Sequence, residues 1–173
     1  MTLNRKDFHL NPKYKLSAME IEKVEIIAYQ PEFAKDFYSL NVAWLEKYFY
    51  VEPYDEKVLS NPQEYVLDPG GYIFFAKYND EIVGVIALIN QTTYFELSKM
   101  AVSPKYQGLK IGLKLMNFSI EFAKNKKWKS ITLYSHRSLV PAINLYKKIG
   151  FKEVEVEKEV HYKRANIKML LVL

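Results

Sequence analysis

The chain has 173 residues, 49% of them apolar and 26% charged, with a formal net charge of +5 and no cysteine. That is the size and composition of one globular domain with a single core, which argues against long disorder and fibrous classes. Disulfides, thiolate metal sites and cysteine nucleophiles are excluded, and His9, His136 and His161 are too scattered for metal-ligand spacing. The longest aliphatic run, 82–89, contains a glycine and falls well short of the ~20 residues that cross a bilayer. No apolar block stands at the N-terminus, so a reducing, cytoplasmic setting is expected. The basic balance favours anionic ligands without naming one.

Residues 1–17 are polar and basic without a period and read as an extension ahead of a domain over 18–173. Met19 opens a strand-like run through Ile21, Val24, Ile26 and Ile27. From Pro31 the apolar residues Phe33, Phe37, Leu40, Trp44 and Leu45 recur at helical steps. A second helix is expected within 55–65, interrupted by Pro62, and Pro69-Gly70-Gly71 marks a turn. Strands over 72–78 and 82–90 are joined by Asn79-Asp80 as a hairpin, the second apolar on both faces and therefore central in a covered sheet. A strand over 95–102 runs into a helix over 111–126 with the stripe Ile111, Leu115, Phe118, Ile120 and Phe122. A strand over 130–135, a helix over 140–149 stopped by Gly150, and strands over 151–156 and 166–172 complete the order. The expected fold class is α/β, a mixed sheet covered by helices, with ligands where a strand end meets a helix start.

Two features along 95–112 point to a ligand. Large apolar side chains sit first at Phe95 and Leu97 and then at Met100 and Val102, a change of parity that a strict two-residue period forbids. One extra residue near Ser98-Lys99, a β-bulge, restores a single inward face and leaves backbone groups unpaired, so an extended amide-bearing ligand could pair with Met100 and Val102. An irregular edge strand is the plainer alternative. The following turn leads into a helix whose first amides, Gly108 to Leu113, suit a phosphate, with Lys105 and Lys110 close by.

With these residues in view, the chain resembles the GNAT superfamily of acetyl-CoA-dependent N-acetyltransferases. Met100-Ala101-Val102-Ser103-Pro104-Lys105-Tyr106-Gln107-Gly108-Leu109-Lys110-Ile111-Gly112 is similar to the family's pyrophosphate signature, and 141–151 to its later helix-to-strand signature. The resemblance implies a bulged central strand in one mixed sheet, with Met100, Ala101 and Val102 along the pantetheine. It implies that Gln107, Gly108, Leu109, Lys110, Ile111, Gly112 and Leu113 cradle the pyrophosphate. Tyr146 would touch the coenzyme and protonate the departing thiolate, a role that suits a phenol of pKa about 10. Glu96 would take the proton from a primary amine on a small molecule or peptide.

The sequence departs from the family at Lys110, which stands where its first Gly-x-Gly glycine is usual, and at His136-Arg137-Ser138, where an asparagine is common. His136 is an alternative base or acceptor contact. Tyr38, Trp44, Tyr48, Phe49, Tyr50 and Tyr54 read as walls of an acceptor pocket of apolar or cationic taste. The rival reading is a non-catalytic CoA-binding regulatory module, kept open by Lys110. Neither a membrane nor nucleic acid is an expected partner, and a homodimer is left open.

Overall fold

In a computed structural model that describes residues 23–173, one seven-stranded sheet runs in the order β1-β2-β3-β4-β5-β7-β6. The strands are β1 (Glu25–Ala28), β2 (Tyr72–Tyr78), β3 (Glu81–Asn90), β4 (Phe95–Val102), β5 (Ser130–Ser135), β6 (Lys152–Val154) and β7 (Ile167–Val172). The helices are α1 (Ala34–Tyr48), α2 (Pro53–Ser60), α3 (Ile111–Asn125) and α4 (Val140–Ile149). The expected 1–17 extension and the opening of the first strand at Met19 lie outside the described residues.

The first four strands form an antiparallel meander, β5 joins β4 in parallel, and β7 pairs antiparallel with both β5 and β6. The β2–β3 turn needs two left-handed residues, which Asn79 (φ 47°) and Asp80 (φ 66°) supply. Two apolar clusters cover the two faces of the sheet. One holds Ile86, Leu88, Leu97, Ile111, Leu115, Met116, Leu133 and Met169, and the other holds Phe37, Leu45, Val58, Leu59, Val85, Ala87 and Ile89. β3 therefore feeds both faces from alternate positions, as its unbroken apolar run implied. Gly84 lets α3 come close: a Cβ there would meet Leu115 at 3.1 Å and Ile111 at 3.2 Å.

Several elements differ in detail from the sequence expectation. The expected second helix over 55–65 is instead α2 followed by a π-helical turn at Gln63–Leu67, because Pro62 breaks the helical hydrogen-bond ladder. α1 buries Asn41 beside Phe37 and Leu45, its side-chain amide donating to the Phe37 carbonyl at 2.9 Å. On α3 the buried row is Ile111, Leu115, Met116, Ser119, Ile120 and Ala123, whereas Phe118 is exposed at the rim, edge-on to Phe74. Gly150 (φ 117°) ends α4 in the left-handed cap that the sequence indicated.

Candidate active site

The change of face along β4 is a bulge. Ser98 pairs with Ala87 and Ala101 with Val85, so Lys99 and Met100 together oppose the single residue Ile86. Lys99 takes up the extra length in a left-handed conformation (φ 50°), strained for a residue with a Cβ. A buried ion pair holds it there: Lys99 Nζ lies 2.6 Å from Asp55 Oδ1, with both side chains almost wholly out of solvent. β4 and β5 pair only at Phe95–Ile131 and Glu96–Thr132. Beyond Glu96 the strands part, and the β5-facing edge at Met100 to Val102 has no strand partner among the described residues.

A cleft of about 170 Å³ opens where the strands separate, lined by Glu96, Ser98, Lys99, Met100, Tyr134, His136 and Tyr146 among others. The two residues expected to carry proton chemistry are thus brought to one cavity. Glu96 is 1% exposed; burial raises its pKa, and a hydrogen bond from Gln91 Nε2 (2.9 Å) to Glu96 Oε2 opposes the shift. It forms no salt bridge among the described residues, so its charge is stabilised by the Gln91 amide and the Ser98 hydroxyl and by the fields of nearby Lys99 and His161. Such a carboxylate is a better proton acceptor than an exposed glutamate. Tyr146 is 9% exposed and packs against Phe151, and burial pushes its hydroxyl up to about 12, so it keeps its proton at neutral pH. His136 lines the same cleft, with its Nδ1 engaged by Ser138 (2.7 Å) and its ring edge against Phe49.

At the opposite end of β4, the chain enters α3 through a 3₁₀ turn at Pro104–Tyr106. The first helical hydrogen bond is Lys114 N–H to Lys110 C=O at 2.9 Å, so the amides of Ile111, Gly112 and Leu113 find no backbone acceptor among the described residues. Gly108 is left-handed (φ 80°), and a Cβ there would meet nothing within 4 Å. That open space beside free amides fits a diphosphate. Lys110 occupies the left-handed N-cap (φ 61°), so the residue that departs from the family pattern adopts the conformation a glycine would favour.

The remaining expected cradle residues divide by side chain. Leu109 and Ile111 are buried in the core and offer only backbone groups, while Gln107 and Lys110 are exposed. Gln107 Nε2 donates to the Val102 carbonyl at 3.1 Å, fixing the turn against the strand edge. Ala101 faces the α1–α2 side of the sheet, away from Met100 and Val102. Lys105 is turned outward to Glu81 (3.4 Å).

Sequence reasoning missed a buried ionic network beside the cleft. Arg164 donates to Asp55 Oδ2 (2.6 Å) and Oδ1 (3.0 Å) and to Glu52 Oε1 (2.9 Å), and Glu52 also accepts the amides of Lys163 and Arg164. Burial alone would raise the Asp55 pKa, but Arg164 and Lys99 outweigh it and hold the carboxyl below its usual range. The network ties the segment between β6 and β7 to α2 and to the bulge. Of the aromatic residues expected to wall an acceptor pocket, Trp44 and Phe49 line the cleft and Tyr54 stacks on His161 (4.5 Å). Tyr48 and Tyr50 are exposed, and Tyr38 donates to Glu56 at the surface.

A parted parallel pair beside an anion cradle defines the architecture of acyl-CoA-dependent transferases of the GNAT type, and comparison with known proteins agrees. The acetyltransferase (GNAT) family model matches residues 34–151, and the chain belongs to that family. A Drosophila melanogaster protein named "Probable N-acetyltransferase san" is 34% identical over 105 residues, covering 57% of this chain and 56% of that protein. The chain spans about half the length of the curated relatives it matches. Among solved structures, a GNAT acetyltransferase from Staphylococcus aureus superposes with a TM-score of 0.75 at 24% identity, covering 85% of this chain and 97% of that one. PaiA N-acetyltransferase from Thermoplasma acidophilum, solved in complex with coenzyme A, gives 0.68 at 21% identity, covering 87% of this chain and 99% of that one.

Proposed function

We propose that this protein transfers an acetyl group from acetyl-CoA to a primary amine by direct attack within a ternary complex. The observation that carries this reading is that Glu96 and Tyr146 line one cleft at the point where β4 and β5 part. The cradle at Gly108 and the amides of Ile111 to Leu113 would hold the diphosphate, and the free edge at Met100 and Val102 the amide-bearing arm. Bound acetyl-CoA supplies the acetyl thioester.

Glu96 accepts the proton that an alkylammonium must lose before its nitrogen becomes nucleophilic. As the nitrogen–carbon bond forms and the carbon–sulfur bond breaks, the Tyr146 hydroxyl gives its proton to the sulfur. The amine loses a second proton on becoming an amide, which balances the one Tyr146 gave; the net products are an N-acetyl amide, CoA thiol and one proton released through Glu96. No covalent enzyme intermediate is needed.

A thiol-release assay with a panel of amines tests the reading. Wild-type protein should release CoA thiol in an amine-dependent manner, with a rate cut about a hundred-fold by Tyr146→Phe. Binding of CoA without release on any amine would favour the non-catalytic module instead.

A further inference from the structure

A second cavity, of about 380 Å³, also reaches Glu96 and is walled by Tyr94, Tyr134, Tyr162, Glu157, Glu159 and His161. Glu96, Tyr134 and Tyr162 line both cavities, so an acceptor in this recess reaches the same carboxylate as the cleft. The chain as a whole is basic, yet three glutamates and neither lysine nor arginine line this recess. Lys99 and Arg164 lie over the Tyr162 ring (4.5 and 4.7 Å) but are drawn to Asp55, and Lys168 is ion-paired with Glu157 and lies over the rings of Tyr94 (5.7 Å) and Tyr134 (5.5 Å). That contact is itself a primary alkylammonium seated on two tyrosine faces against a carboxylate. With Glu157 neutralised by Lys168, Glu96 and Glu159 are left without a salt-bridge partner among the described residues. Independently, the Tyr162 hydroxyl is buried at the shared wall with Ser98 close by but no hydrogen-bond partner of good geometry among the described residues, a polar group that a bound ligand can satisfy.

Resting on the acetyl-transfer reading above, we infer that this recess is the acceptor site and that its substrate is a small aliphatic diamine. The reacting amine lies at Glu96 and Tyr162, and the distal ammonium at Glu159. The cavity volume suits a small molecule. A carboxylate at the distal end would face like charge and be rejected.

Three acceptors of matched length test this: diaminobutane with both amines terminal, butylamine, and γ-aminobutyrate, which differ at the far end by an ammonium, a methyl and a carboxylate. Thiol release should show kcat/KM for the diamine at least about ten-fold above butylamine, as expected for one charge-assisted contact, and γ-aminobutyrate should be slowest. Glu159→Gln, at an exposed position, should raise KM for the diamine far more than it lowers kcat and should draw the diamine towards butylamine. Equal kcat/KM for all three acceptors overturns the diamine assignment while leaving acetyl transfer standing. If no amine supports release, acetyl transfer fails, and calorimetry of diaminobutane with the wild type and Glu159→Gln decides the site. Tighter binding to the wild type supports the recess, and identical or undetectable binding overturns it.

Discussion

Two buried carboxylates, Asp55 and Glu96, line the same cleft from different regions of the fold and are treated in opposite ways. Asp55, on α2, is met by Lys99 and Arg164, and its pKa is held below the usual value of 3.8. Glu96, on β4 just before the bulge, has neutral side-chain donors in Gln91 and Ser98 but no salt bridge among the described residues, and burial lifts its pKa above 4.5. A paired carboxylate stabilises the fold by bracing the bulge. An under-paired one carries a desolvation penalty at neutral pH that a purely structural residue would have no reason to bear.

The contrast predicts opposite signs of stability change. Asp55→Ala has the largest expected effect: it leaves the buried Lys99 without its counter-charge and Arg164 with Glu52 alone, and should cost about 3–5 kcal/mol by denaturant unfolding. Glu96→Gln should leave stability at neutral pH unchanged or raised. Linkage gives the same signs. The raised Glu96 pKa contributes stability below 4.5 that is lost as pH rises through its folded value, and the lowered Asp55 pKa contributes stability above 3.8 that is lost as pH falls through its folded value. Loss of stability in both variants would erase the distinction.

Next in size is chemistry. Tyr146→Phe removes one hydroxyl from a well-packed ring and should change stability by less than about 1 kcal/mol while slowing thiol release about a hundred-fold. The smallest effect is expected at the cradle. Gly108→Ala places a Cβ on a left-handed residue, costing about 1 kcal/mol, and into space that nothing in the protein fills. Titration calorimetry should show CoA binding weakened by more than that stability loss explains; unchanged affinity would move the diphosphate elsewhere.

Much of the scaffold was legible because it rests on local signals. The parity change between Leu97 and Met100 located the bulge, Asn79-Asp80 the hairpin, and Gly150 the end of α4. The roles expected of Glu96, Tyr146 and the residues from Gln107 to Leu113 came from the family resemblance. The bracing network was not legible, because Asp55 meets Lys99 across 44 residues and Arg164 across 109, and no periodicity links such positions. The expected aromatic wall is met in part, by Trp44 and Phe49 in the cleft. Tyrosines crowd around α1, where Tyr48 and Tyr50 turn to solvent, whereas Tyr94, Tyr134 and Tyr162 are scattered in sequence and gathered only by the sheet and the β6–β7 segment.

The central claim is that Glu96, lifted by burial at the parted strands, is the proton acceptor. It is tested most directly by the pH dependence of kcat for thiol release with butylamine, in wild type and Glu96→Gln. The wild-type rate should rise with pH through a titration above the ordinary glutamate range, and the variant should be slower and lack that limb. Parallel profiles of similar height would contradict the account.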